Sequence, residues 1–70
     1  MPESTYKVVE LVGSSKDSWE DAVNNAVEAA SKSLRDLRVC EVMKLDTRIE
    51  DGKIAAYRAR VQLSFKYQAE

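Results

Sequence analysis

Hydrophobic and polar residues alternate almost without interruption near the end of the chain, from Ala55 to Tyr67. The odd positions are apolar or aromatic, and most even positions are polar: Arg58, Arg60, Gln62, Ser64 and Lys66. A period of two predicts a β-strand with one buried face. At about 3.4 Å per residue, this strand spans roughly 44 Å, although most strands have only five or six residues.

An earlier segment, Tyr6–Val12, also has the composition of a strand, because it is rich in β-branched and aromatic residues. Gly13-Ser14-Ser15 is predicted to end it. Its two faces carry alternate residues, with Lys7, Val9 and Leu11 on one side and Tyr6, Val8, Glu10 and Val12 on the other. A weak anion site or an ordinary capping turn would both fit the glycine and serines before the helix.

The second predicted strand is Val39–Leu45, followed by an Asp51-Gly52 pair that is typical of a hairpin turn. Simple alternation places Cys40 and Val42 on one face. It places the other members on the opposite face: Val39, Glu41, Met43 and Leu45.

A helix is predicted between the first two strands, from Ser18 to Leu37, with Asp17 or Ser18 as its N-cap. Its apolar stripe has helical spacing: Trp19, Ala22, Val23, Ala26, Val27, Ala30, Leu34 and Leu37. Such a helix is about 30 Å long. Arg35 and Arg38 would lie near its negative end, and Trp19 is expected in the core.

The elements predict one domain over residues 1–70, of the α+β class, with the order β-α-β-β. A right-handed crossover makes the first two strands parallel, and the third fills the gap between them, giving the order 1-3-2. The sheet packs on one helix. Because the last strand outruns the helix and leaves an unpaired end, the chain is expected to assemble with copies of itself.

The size of the chain supports assembly for a second reason. A chain of 70 residues buries a core that rarely supplies more than about 3–5 kcal/mol. Cys40 is the single cysteine and histidine is absent, so an intrachain disulfide is excluded and a structural zinc site is not expected.

Catalysis is not expected, because the commonest general acid and base is missing and Cys40 has no histidine to activate it. Cys40 is interpreted as an inert core thiol. Asp46, Glu50 and Asp51 near Gly52 do not fit the EF-hand pattern, since Arg48 takes a ligand position and the glycine is seventh. Carboxylates at a subunit contact remain a possible calcium site.

Charge argues against nucleic-acid and membrane partners. Eleven Lys/Arg residues oppose twelve Asp/Glu residues, for a net charge of −1 without a basic block. The polar N-terminus lacks the apolar core of a signal peptide, and the single thiol fits the reducing cytoplasm. The polar row of the third strand has three interpretations, in the order subunit interface with arginines pairing to Glu10 or Glu41, ligand-facing wall, and nucleic-acid platform.

Four segments together resemble the dodecin family over almost the whole chain: YKVVELVGSS, SWEDAVNNAVEAA, RVCEVMKLDTRIEDGKI and AYRARVQLSFKY. The resemblance implies a β-α-β-β subunit and a hollow sphere of twelve copies. It also implies a non-enzymatic storage protein that binds flavins such as riboflavin or FMN at subunit contacts.

The resemblance also indicates where the ligand site lies. Flavin-binding members have a tryptophan two residues before the glutamate that corresponds to Glu41, and here that position is Val39. Their third-strand glutamine, which bonds the polar edge of the ring, corresponds to Arg58. Val39, Glu41 and Arg58 are therefore the predicted pocket positions. The pattern resembles the family branch without the flavin tryptophan, for which calcium is a proposed ligand.

Two hypotheses follow. In the first, a dodecamer sequesters a flavin or another anionic, planar or phosphorylated ligand, with Arg58 contacting its anionic part. In the second, a structural or calcium-binding assembly has kept the fold and lost the flavin.

Overall fold

The computed structural model describes residues 5–67, which form β1 (Thr5–Ser15), α1 (Trp19–Ser31), β2 (Leu37–Glu50) and β3 (Lys53–Tyr67). β3 pairs antiparallel with both neighbours, so the sheet order is β1-β3-β2. The predicted β-α-β-β fold and strand order are confirmed. The polar residues 1–4 and the side chain of Tyr67, which was expected on the apolar face, lie outside the description.

All three strands are longer than predicted. β1 continues through Gly13-Ser14-Ser15, which was expected to end it, and β2 runs on to Glu50. A turn at Asp51 (φ 52°) and Gly52 (φ 73°) joins β2 to β3. Two consecutive positive φ angles give the turn a twist that matches the flanking strands. The ladder therefore extends to the Glu50–Lys53 pair beside the turn.

The helix is shorter than predicted, because α1 ends at Ser31 and not at Leu37. The amide of Lys32 bonds back to the carbonyls of Ala29 and Ala30. Asp36 then takes a positive φ of 59°, and Leu37 opens β2 opposite Phe65. Strand pairing thus prevails over the helical spacing. No helix among residues 5–67 has the length and apolar character needed to cross a bilayer.

One correction follows for the charges at the end of the helix. Arg35 lies after α1 and Arg38 lies in β2, so neither is in the last helical turn, which carries no basic residue. Leu34 and Leu37 nevertheless pack against the core from outside the helix. Their helical spacing correctly identified apolar contacts but not the backbone that carries them.

The helix begins with a capping network of serines. Ser18 is the N-cap, and its hydroxyl accepts a hydrogen bond from the Asp21 amide at 3.0 Å. The buried Ser15 hydroxyl accepts from the Asp17 amide at 2.9 Å and donates to the Asp21 carboxylate at 2.7 Å. These contacts satisfy amides of the first turn, which are otherwise without partners. The segment therefore acts as the capping turn, not as an anion site.

A core of small residues lies between α1 and the face of the sheet that packs on it, here called the inner face. Ala22, Ala26 and Ala30 from the helix meet the odd-numbered β3 residues Ala59, Val61 and Leu63. Because the alanines bring the backbones close, Gly13 lies directly beneath Ala22 and Ala26. Val9 and Leu11 also pack on the core, while Tyr6, Val8 and Val12 are exposed on the opposite, outer face.

An irregularity in β2 changes which way its second half faces. Val42 pairs with Val61 and Lys44 pairs with Arg60, so Met43 is an inserted residue. Such a bulge reverses the alternation. Leu45 therefore pairs with Ala59 and shares the inner face, whereas simple alternation predicted it on the face of Val39 and Glu41. That prediction was wrong.

Candidate ligand-binding site

The three predicted pocket positions lie on the outer face. Val39 pairs with Ser64 and is 58% exposed, and Glu41 pairs with Gln62. Arg58 lies between Asp46 of β2 and Ser14 of β1. Residues opposite each other in neighbouring strands share a face, so the polar even-numbered row of β3 connects all three positions.

Within one chain, however, Val39 and Arg58 do not meet. Ser64, the partner of Val39, is six residues from Arg58 along β3. Six residues of extended strand separate the two positions by about 20 Å. A pocket that uses both side chains on the same ligand must therefore take them from two different copies of the chain.

Arg58 is held by an ion pair that spans two strands. Its Nε donates to Asp46 Oδ1 at 2.7 Å and its Nη2 donates to Asp46 Oδ2 at 2.9 Å. This paired geometry is the strong, directional form of an arginine–carboxylate contact. The hydrogen bond from Arg58 and its positive charge lower the pKa of Asp46, and Asp46 in turn raises the pKa of Arg58.

The prediction that arginines pair with Glu10 or Glu41 is confirmed for one arginine and wrong for the other. Arg60 Nη1 contacts Glu10 Oε2 at 2.7 Å, across from β3 to β1. Arg58 uses Asp46 instead, because the bulge at Met43 and the short turn bring Asp46 directly opposite it. The partner could have been found by counting back from the turn only if the irregularities of β2 had been known.

Trp19 is not a core residue of the single chain, as was predicted, because it is 40% exposed. Its indole Nε1 donates to the backbone carbonyl of Asp46 at 3.0 Å. Its ring meets Tyr57 edge-on, with 5.1 Å between ring centroids. The first residue of the helix thereby fastens β2 and β3 at the level of the Asp46–Arg58 pair.

The acidic residues near the turn serve separate roles. Asp46 pairs with Arg58, Glu50 contacts Arg48 at 2.7 Å, and Asp51 forms the turn. Within residues 5–67, no group of three His, Cys, Asp or Glu residues is placed to hold a metal ion. The absence of an EF-hand agrees with the sequence. A calcium site in this protein would need ligands from more than one copy.

Cys40 lies on the inner face opposite Leu63 and is partly buried. Burial raises the pKa of its thiol. Since the thiolate is the nucleophilic form, this position supports the interpretation of Cys40 as an unreactive packing residue.

Two apolar depressions flank the end of the helix. One, of about 160 Å³, is lined by Val27, Leu37, Arg38, Val39, Cys40 and Leu63. The other, of about 270 Å³, is lined by Val9, Leu11, Ala29, Ala30, Ser33 and Leu34. Both are smaller than the roughly 300–1,000 Å³ of pockets that enclose a cofactor-sized ligand. Neither depression can enclose such a ligand by itself.

Comparisons with known proteins agree on one family. The family model for dodecin matches residues 5–68. A "Calcium dodecin" of Mycobacterium tuberculosis is 38% identical over 63 residues, which cover 90% of this chain and 89% of that protein. The structure of dodecin from Streptomyces coelicolor superposes with a TM-score of 0.93 at 40% identity, with both chains fully covered.

A further solved structure bears on the choice of ligand. The crystal structure of the calcium-chelating antigen calcium dodecin from Mycobacterium tuberculosis, described with a novel calcium-binding site, has a TM-score of 0.83. It is 37% identical, with 93% of each chain covered. By its fold, its family-model match and its similarity to these relatives, the chain belongs to the dodecin family.

Proposed function

We propose that this protein is a non-enzymatic ligand-binding and storage protein that works as a homododecamer in the cytoplasm. The observation that carries the assembly is its exposed apolar surface. Among residues 5–67, ten large hydrophobic side chains are at least 40% exposed, and the largest fully buried side chains are Leu63 and Val61. A monomer with so small a core and so much apolar surface has little net stability.

The proposed ligand pockets lie between copies. Val39 from one copy and Arg58 from another would line the same pocket, because the register holds them about 20 Å apart within a chain. Glu41 and Gln62, which pair on the outer face, supply further polar atoms beside Val39. This arrangement favours a flat ligand that contacts apolar surface on one side and hydrogen-bond donors at its edge.

The ligand class follows from the chemistry of these positions. Val39 offers apolar contact but no aromatic face, so a flavin such as riboflavin or FMN would lose the stacking that an aromatic residue supplies. By analogy with stacking of bases on aromatic side chains, that loss is about 1–3 kcal/mol. We therefore propose weak flavin binding.

Calcium is the second candidate, favoured by the relative whose name and solved structure record calcium binding. Carboxylates from several copies would have to supply the ligands, since the described residues of one chain offer no cluster. Calcium accepts such mixed oxygen ligands in flexible geometry.

The assembly is tested by size-exclusion chromatography with light scattering. Twelve copies of a 7.9 kDa chain give an expected mass of about 95 kDa, stable on dilution. A cooperatively folded monomer in dilute, salt-containing solution would remove both the shell and the pockets between its subunits. A colourless protein that leaves riboflavin fluorescence unquenched would reject the flavin ligand but not the assembly.

Calcium binding has its own measurement. Thermal unfolding of the chelator-treated assembly is expected to shift to higher temperature on addition of Ca²⁺, because a ligand bound only by the native state stabilises it. Mg²⁺ at the same concentration is the control, since it is smaller and demands stricter octahedral geometry. Equal shifts with both ions, or none with Ca²⁺, would contradict a calcium site.

A further inference from the structure

The Asp46–Arg58 pair is more constrained than an ordinary surface ion pair. Both contacts of the fork are short, at 2.7 and 2.9 Å, and the two residues lie directly opposite each other in the sheet. The Trp19 indole fixes the Asp46 backbone at 3.0 Å and packs against Tyr57, the neighbour of Arg58. Helix and both strands therefore hold the carboxylate in place.

This geometry changes what Arg58 can offer a ligand. A guanidinium has five N–H groups, and Asp46 accepts from Nε and Nη2. The remaining donors, on Nη1 and the outer side of Nη2, are directed away from the carboxylate. They are still available, because the side chain is 42% exposed. The local net charge, however, is zero, so the edge presents oriented donors without a free cation.

We propose that Asp46 is a specificity-determining residue of the Arg58 site, and that it selects uncharged ligand edges with hydrogen-bond acceptors over anionic groups. This inference rests on the proposed function. A carbonyl or ring nitrogen accepts from the free donors without disturbing the pair. A phosphate or carboxylate meets the nearby negative charge of Asp46 and must compete with it for the guanidinium. Arg58 thus contacts a neutral edge, not the anionic part of a ligand.

The neighbouring arginine shows the difference in geometry. Arg60 contacts Glu10 through a single nitrogen, Nη1, at 2.7 Å. Without a second contact, that carboxylate restrains the orientation of its guanidinium less. Selection by charge is therefore assigned to Asp46 and not to the polar row as a whole.

The test removes the charge of Asp46 while keeping its shape. Asp46→Asn retains an acceptor for Arg58 and leaves the backbone carbonyl that Trp19 uses. Glu28→Gln is the matched control, because it removes one negative charge from an exposed helical position. Thermal unfolding and mass are first compared with the unmodified protein, to establish that both variants fold and assemble.

Inorganic phosphate is then titrated into the three proteins by calorimetry at constant ionic strength. Asp46→Asn is expected to bind phosphate at least fivefold more tightly than the unmodified protein, and Glu28→Gln to change less than twofold. Equal affinities in the two variants would overturn the proposal, because any gain would then come from net charge alone.

A second titration separates this proposal from the proposed function. Riboflavin, whose ring is uncharged, is added to the Val39→Trp protein with and without Asp46→Asn. Loss of the orienting carboxylate is expected to lower riboflavin affinity at least twofold, and an unchanged or raised affinity would contradict the selection of neutral edges. If riboflavin binds neither protein, the flavin pocket fails, and the phosphate titration alone decides the role of Asp46.

Discussion

Replacing Gly13 with alanine is expected to abolish the stable fold. A Cβ atom at this position would lie 2.1 Å from the Ala22 carbonyl oxygen and 2.9 Å from the Ala26 Cβ. Neither is the end of a flexible side chain, so the helix would have to move off the sheet. Overpacking of a core costs about 1–3 kcal/mol and occasionally more, and we expect the upper end here.

The measurement is the melting temperature by circular dichroism or calorimetry. A loss of about 3 kcal/mol lowers Tm by at least about 12 °C in a domain of this size. Gly52→Ala is the matched control, because Gly52 has a positive φ of 73° but nothing within 4 Å of the added carbon. It should cost only about 1 kcal/mol. Similar losses for both variants would contradict the close contact between β1 and α1.

Replacing Val39 with tryptophan is expected to raise riboflavin affinity by about 10- to 100-fold. Val39 is 58% exposed on the outer face, so the larger side chain meets no obstacle within the chain. An indole supplies the stacking surface that valine lacks, worth about 1–3 kcal/mol by analogy with base stacking. Each 1.4 kcal/mol changes a dissociation constant about tenfold.

Quenching of riboflavin fluorescence on titration measures the effect. Val39→Leu is the control, because it adds apolar volume without an aromatic face, and its affinity should stay within about threefold of the unmodified protein. If leucine and tryptophan give the same gain, apolar contact and not stacking determines affinity. If neither gives a gain, the pocket between copies does not include Val39.

Much of the fold could be predicted because it depends on neighbours in the sequence. The alternation from Ala55 to Leu63 places residues on the two faces of β3 as observed. The serine before Trp19 caps the helix, and Asp51-Gly52 forms the turn. Each of these features arises from backbone preferences and side-chain periods within a few residues, so the sequence contains all the required information.

The candidate site could be predicted only in part. The three pocket positions came from family resemblance, and the structure places all of them on the outer face. Asp46 was considered only as a calcium ligand, although it is the partner of Arg58. Trp19 was assigned to the core, although its indole reaches the Asp46 carbonyl from an exposed position. Both errors concern contacts between residues distant in sequence.

By itself, the sequence determined the order of the elements, the antiparallel hairpin and the apolar face of the last strand, since these depend on local patterns. Only the tertiary structure decided where the helix ends, which way Leu45 faces and which acid holds Arg58. Pairing of Leu37 with Phe65 outweighs the helical preference of the preceding residues, and the inserted Met43 shifts every later β2 residue. Strand register is a property of the whole sheet, so no local pattern encodes it.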